Sequence, residues 1–206
     1  MKWLAVVLPA ALLLSGCAGH PPNAPAARQQ AEFKQREAEL QNWKSWGLTG
    51  RLSVDNGHDG GSGRLDWRAG TSGSVLSFRG ALGQGAWQLE LDSAGATLRL
   101  SDGTVVSEPS VQALLDREVG WPIPVDALRW WVMGLSAPEP AARPRLELLG
   151  EGRLASLEQL GWRVEYQKYQ ALDSVQMPTR LEATNGAYRV KLAISRWWHA
   201  GDDEGA

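Results

Sequence analysis

The chain has 206 residues, 43% of them apolar and 21% charged, with a formal charge of −2. That length holds one substantial domain, the charge balance excludes a nucleic-acid binder working through a basic face, and the apolar content excludes a disordered chain. A single cysteine excludes a disulfide framework and a shared thiolate metal site. Eleven tryptophans stand against two phenylalanines, and tryptophan gathers at amphipathic boundaries and ligand cavities.

Met1-Lys2 is followed by an apolar run from Trp3 to Leu14 and then by Leu14-Ser15-Gly16-Cys17. A short positive start and about a dozen apolar residues form a secretory signal, too short to remain as a spanning helix. Leu-Ser-Gly-Cys resembles the lipobox of bacterial lipoproteins. That resemblance implies a diacylglyceryl group on Cys17, cleavage before it and acylation of the new amine. Three acyl chains at about 0.8 kcal/mol per buried methylene exceed what stable anchoring needs. Ala18, where an aspartate would retain the protein inside, resembles an outer-membrane address. Residues 1–16 are therefore read as signal peptide and 17–27, with Pro21, Pro22 and Pro25, as acylated cysteine and extended tether. Residues 28–198 are read as the domain, and 199–206 as a disordered acidic tail.

From Ala26 to Trp46 good helix formers predict a surface helix, with Ala31, Leu40 and Trp43 as its apolar stripe among charged neighbours that include Arg36. The period then changes to two. Trp46, Leu48, Leu52 and Val54 alternate with polar residues. So do Leu65 and Trp67, Leu76 and Phe78, Trp87, Leu89 and Leu91, and then Ala96, Leu98 and Leu100. Glycine-rich turns separate these short segments, as in an antiparallel meander with one wet face. Helical spacing returns at Val111, Leu114, Leu115 and Val119, and again at Leu128, Trp131, Val132 and Leu135, with Trp121-Pro122-Ile123-Pro124 between. Strand patterning resumes at Leu146 and continues to Ile194, ending in Trp197-Trp198. The predicted architecture is mainly β: one strongly curved antiparallel sheet of about eleven strands, with the mid-chain helices on its concave face.

No catalytic constellation emerges. His20 lies in the tether, His58 in a turn and His199 at the end, with no metal-ligand spacing. Gly83-Gln84-Gly85 lacks the third glycine of a dinucleotide fingerprint and opens no helix, and no Gly-x-Ser-x-Gly elbow occurs. Asp66, Glu90, Asp92 and Glu165 fall at wet-face positions as solvated charges. No enzyme activity, cofactor or metal is expected.

Three features remain. The helix after Trp121-Pro122-Ile123-Pro124 is apolar over most of its circumference, which suits a lid or a plug of the core. The connection Gly80-Ala81-Leu82-Gly83 carries a leucine where turns usually hold polar residues or glycine. Leu82 there either meets an apolar partner or folds back on the domain. Gly161-Trp162-Arg163-Val164-Glu165-Tyr166-Gln167-Lys168-Tyr169 is a clean alternating strand, followed by Met177-Pro178.

Together with the lipobox and Trp46-Gly47-Leu48-Thr49-Gly50-Arg51-Leu52, these segments resemble the LolB family, the outer-membrane receptor of bacterial lipoprotein sorting. The resemblance implies an incomplete β-barrel with a helical lid over an apolar cavity. It implies acylated lipoproteins as cargo, the periplasmic carrier LolA as partner, and the outer-membrane bilayer as destination, with the domain facing the periplasm and acting as a monomer. The family's protruding apolar loop maps onto Leu82 and Ala81, although this chain has Ala-Leu-Gly where a proline often precedes the leucine. On this reading the acyl cavity is lined by Trp46, Leu48, Leu52, Trp67, Phe78, Trp87, Leu89, Trp121, Leu128, Trp130, Trp131, Trp162, Tyr166 and Ile194, with lid movement at Gly120 and Gly134. A lipid-binding lipoprotein of the same form with another amphiphile, or a non-transport structural lipoprotein, are the alternatives.

Overall fold

The computed structural model describes residues 24–81, 85–118, 123–138 and 143–200. The signal peptide, Cys17, Leu82, Gly120, Trp121 and residues 201–206 lie outside them. Helix α1 (Ala24–Gln41) precedes β1 (Trp46–Asp55), β2 (Gly60–Gly70), β3 (Gly73–Gly80), β4 (Trp87–Asp92), β5 (Gly95–Leu100) and β6 (Val105–Glu108). Helices α2 (Val111–Glu118) and α3 (Val125–Trp131) follow, and then β7 (Arg145–Leu148), β8 (Leu154–Gln159), β9 (Trp162–Leu172), β10 (Val175–Asn185) and β11 (Tyr188–His199).

All eleven strands form one antiparallel sheet in the order β6-β5-β4-β3-β2-β1-β11-β10-β9-β8-β7. Each half of the chain is a meander, and the pairing of β1 with β11 joins the halves. The sheet does not close. Its edges are the four-residue strands β6 and β7, short enough to offer little template for further pairing. The two mid-chain helices connect these edges, so the covering segment is tied to both sides of the opening.

The alternation seen in the sequence sorts the faces. Trp46, Leu48, Leu52 and Val54 of β1 are buried on the concave side while Arg51 and Asp55 are exposed. Where β1 meets β11 the register slips between Thr49 and Gly50, leaving Ser195 as an extra residue on β11. Its hydroxyl donates to the Thr49 carbonyl at 3.0 Å. This bulge shifts the phase of β11, so Trp197, paired with Leu48, packs against the core and its ring lies 5.7 Å from that of Trp46. Gly50 permits the close approach: a Cβ there would lie 2.5 Å from the Ala193 carbonyl oxygen.

Three boundaries differ from expectation. Helix α1 starts at Ala24, inside the stretch read as tether, with Pro25 in its first turn where a missing N–H is harmless. It ends at Gln41, before Trp43. Its buried positions are Phe33, Arg36 and Leu40, while Ala31 is exposed. His199, assigned to the tail, closes β11, stacks on Trp43 at 4.3 Å and pairs with Asp173 at 2.8 Å. These contacts hold the end of α1 against the sheet.

Substituting Gly50 by valine forces the β1–β11 junction apart. Denaturant unfolding should show a loss of about 2 kcal/mol or more, the range of overpacking in a closed site.

Candidate functional site

The concave face is built from inward positions of β1–β5 and β8–β11, which are mostly apolar, with Ser74 and Gln159 as buried polar exceptions. Helices α2 and α3 lie against it. Val111, Leu114 and Leu115 of α2, Ile123, and Val125, Ala127 and Trp131 of α3 are all buried. They fill the hollow. The remaining void is about 30 Å³ and is walled by Leu52, Leu65, Trp67, Leu76, Trp87, Leu89, Leu115, Ile123, Val125, Leu128, Leu181, Val190 and Leu192. That is one water molecule's share of space, not an acyl chain's. The lid-covered apolar hollow expected from the sequence is occupied in this structure by side chains of the helices that cover it.

The candidate lining residues divide accordingly. Leu52, Trp67, Trp87, Leu89 and Leu128 border the void. Phe78 stacks on Trp87 at 5.5 Å, and Trp46 packs on Trp67 at 5.3 Å. Leu48 and Ile194 are buried in the core without bordering the void. Trp131 and Trp162 face each other at 6.5 Å, and Trp130 is half-buried under the Arg129 guanidinium, 5.6 Å from its ring. Leu65, Leu76, Leu181, Val190 and Leu192 complete the wall. Strand alternation marks them, but attention to aromatic residues passed over them.

The lid is held unevenly. Its far end, after α3, is pinned by buried polar groups. The Trp131 indole N–H and the Ala137 amide donate to Gln159 Oε1 at 3.0 and 2.9 Å, and Gln159 Nε2 donates back to the Ala137 carbonyl at 2.9 Å. The Tyr166 hydroxyl donates to the Trp131 carbonyl at 2.8 Å. Complete burial pushes the Tyr166 phenol well above its ordinary pKa, so it stays a neutral donor. Nearby, burial pushes Tyr169 up to about 12.

Arg36 is the third pin, and the sequence reading placed it on the solvated side of α1. It is only 4% exposed. Its guanidinium donates to the carbonyls of Met133 (2.6 Å), Gly134 (3.0 Å) and Gln176 (2.9 Å). Burial lowers its pKa from the ordinary arginine value, but a guanidinium remains charged at any physiological pH. Two of these carbonyls, those of Met133 and Gly134, follow the C-terminus of α3, where backbone acceptors are unpaired and the dipole favours a cation, and the third belongs to β10. Gly134 turns with φ +71° directly under it, and an added Cβ would meet Pro178 and the guanidinium. The turn expected to act as a hinge is therefore a fixed point.

Among the described residues the near side of the lid shows no comparable pin. Pro124 caps α3 without a side-chain hydrogen bond, and α2 is tied to β6 by the exposed pair Arg117–Glu108 at 2.9 Å, a bond of little strength in water. Beyond it, at the end of the sheet where β3 passes to β4, an open cleft of about 890 Å³ is bordered by Val54, Phe78, Gly80, Ala81, Gly85, Trp87, Leu100 and Glu118. Ala81 is exposed on its rim. Trp87 borders both cleft and void, so its ring separates them.

Replacing Arg36 with methionine leaves three buried carbonyls without their donor. Unfolding should lose about 2–4 kcal/mol, and an apolar fluorescent dye should bind more strongly as the lid loosens. Unchanged dye binding would show that Arg36 supports the fold without restraining the lid.

Residues 44–197 match the sequence model of a family described as "Outer membrane lipoprotein LolB". The chain is 36% identical over 193 residues to an outer-membrane lipoprotein LolB of Azoarcus sp., covering 94% of this chain and 93% of that one. It is 31% identical over 195 residues to the corresponding protein of Chromohalobacter salexigens, covering 95% and 89%. Among solved structures it is similar in fold to a LolA-superfamily protein from Nitrosomonas europaea (TM-score 0.55, 9% identity, 82% and 92% covered). It is similar also to a putative outer-membrane lipoprotein-sorting protein domain from Vibrio parahaemolyticus (TM-score 0.52, 12% identity, 87% and 95% covered).

Proposed function

The chain belongs to the LolB family of outer-membrane lipoproteins, and from that premise we propose that it is a lipid-anchored receptor which accepts acylated lipoproteins from a periplasmic carrier of the LolA kind and inserts them into the outer membrane. The family serves lipoprotein localisation, not catalysis. Attachment is assigned to an acylated Cys17; among the described residues no helix is long and apolar enough to cross a membrane. The domain then faces the periplasm.

The observation that carries this reading is the concave apolar face filled by two helices of its own chain. Exposing some tens of methylenes to water costs on the order of 30–40 kcal/mol at about 0.8 kcal/mol each, so cargo needs a dry shelter throughout transfer. Leu115, Ile123, Val125 and Leu128 occupy that shelter at rest. Cargo enters from the cleft beside Trp87 as the weakly tied side of the lid withdraws, while Arg36, Gln159 and Tyr166 keep the other side in place. Acyl chains replace helix side chains of the same apolar character, so the exchange gains little. The receptor therefore holds cargo less firmly than a bilayer does, and transfer runs downhill without nucleotide or metal.

Leu82, between Ala81 and Gly85, is assigned to the membrane side of this step. One leucine contributes at most about 3 kcal/mol, enough to position the domain or disturb the bilayer locally but not to anchor it.

The nearly filled interior favours one rival, a structural lipoprotein whose sheet is simply packed. Transfer of a purified acylated lipoprotein from its carrier to the mature chain with Cys17→Ala separates the two. A receptor takes up the cargo with a change in tryptophan fluorescence; a packed scaffold takes up none. Leu82→Glu should leave uptake intact and reduce delivery to vesicles at least tenfold. Normal delivery by that variant removes Leu82 from the mechanism.

A further inference from the structure

On the convex face the strand register sets one residue from each of six adjacent strands side by side: Arg79, Arg64, Arg51, Ala193, Arg180 and Lys168. All five cations are exposed. At ~4.8 Å between strands the row is about 24 Å long. Like charges directly opposite each other destabilise a sheet, and here Arg79 opposes Arg64, Arg64 opposes Arg51, and Arg180 opposes Lys168. Arg64 has a counter-charge in Asp66 at 2.9 Å. Among the described residues Arg51, Arg79, Arg180 and Lys168 make no ion pair, and Arg51 donates only to the Ser62 hydroxyl at 3.1 Å. A parallel row nearer the β1–β2 turn mixes the two signs: Asp55, Arg189, Thr184, Arg163, Glu158 and Arg145. At the centre of the cationic row the small Ala193 floors a depression of about 320 Å³ flanked by Arg51, Arg180, Gln167, Lys191 and Glu182, the last already paired with Arg189 at 3.0 Å.

We propose that this row is the surface on which the domain lies against a membrane, with anionic phospholipid headgroups supplying the missing counter-charge. The proposal rests on the receptor reading above, because it takes the bilayer to be within reach. Cys17 and Ala24 are seven residues apart, at most about 25 Å of extended chain, so the anchor keeps the domain beside the headgroups. The row begins at Arg79, adjacent to Gly80 and Ala81, where the connection assigned to membrane contact starts. Guanidinium groups pair with phosphate through two hydrogen bonds at once. A chain of net charge −2 is repelled by an anionic bilayer unless its cations are gathered on one face. An acidic protein would meet the same charges, but the anchored domain has phosphates close by at all times.

The test is sedimentation of the mature chain carrying Cys17→Ala with vesicles of phosphatidylcholine, with and without phosphatidylglycerol. The parent should bind the anionic vesicles selectively and lose them as salt is raised. Arg51→Gln, Arg180→Gln and Lys168→Gln together should weaken that binding roughly a hundredfold, about fivefold per charge. The same variant should melt no lower than the parent, because it removes opposed like charges. Arg28→Gln, Lys34→Gln and Arg145→Gln, which change the net charge equally, should keep most of the binding. The proposal is overturned if the parent binds both vesicles alike, if the row variant binds as the parent does, if the control variant loses as much, or if the parent binds soluble polyglutamate and no vesicle. Cargo uptake is measured separately in the same preparations, and its failure in the parent would count against the receptor reading whatever the vesicles show.

Discussion

A strongly curved sheet that stops short of closing has an apolar concave face and no second sheet to cover it, and the molecule is arranged around keeping that face dry. The cover comes from the chain itself. Helices α2 and α3 lie between β6 and β7 in sequence, and those strands are the two edges of the opening. A cover tethered to both edges stays local when it moves. In the receptor reading it is exchanged for another apolar occupant, the acyl chains of cargo, because it matches the face it covers in character.

The polar contacts are distributed to suit that exchange. Hydrogen bonds from Arg36, Gln159 and Tyr166 converge on the end of α3 and the segment after it, whereas among the described residues α2 meets the sheet through buried apolar side chains and the exposed pair Arg117–Glu108. Buried polar groups are costly to leave unpaired, so the first side resists displacement. Arg36 is central because it joins three elements: α1, the turn after α3, and β10. The helix next to the membrane tether thereby also holds the lid. In the receptor reading, this links the anchored end of the domain to the covering of the cavity.

The two faces of the sheet obey different rules. Inside, apolar bulk is interchangeable and the Trp and Leu positions form one continuous surface. Outside, charge sign matters row by row, because cross-strand neighbours lie close enough to repel or attract. The register that satisfies the interior leaves the exterior with whatever pairs result, and one of its rows collects five cations.

Much of the architecture was legible in the residues. The two-residue period from Trp46 to Leu100 and from Leu146 to Ile194, broken by helical spacing near Leu114 and Leu128, specified strands, helices and their order, because period is a local property of the chain. Leu-Ser-Gly-Cys17, whose resemblance to a lipobox implies acylation, is likewise a local pattern. Other features belong to the assembled molecule. Whether Trp197 or Trp198 turns inward depended on the extra residue at Ser195, a mismatch between two strands far apart in sequence. Arg36 looked like one more surface charge until the carbonyls of Met133, Gly134 and Gln176 came within reach of it, about a hundred or more residues away. The alignment of Arg51 with Arg64 and Arg180 with Lys168, and the filling of the hollow by its own lid, were likewise decided by tertiary structure alone, since register and helix docking arise only when distant segments meet.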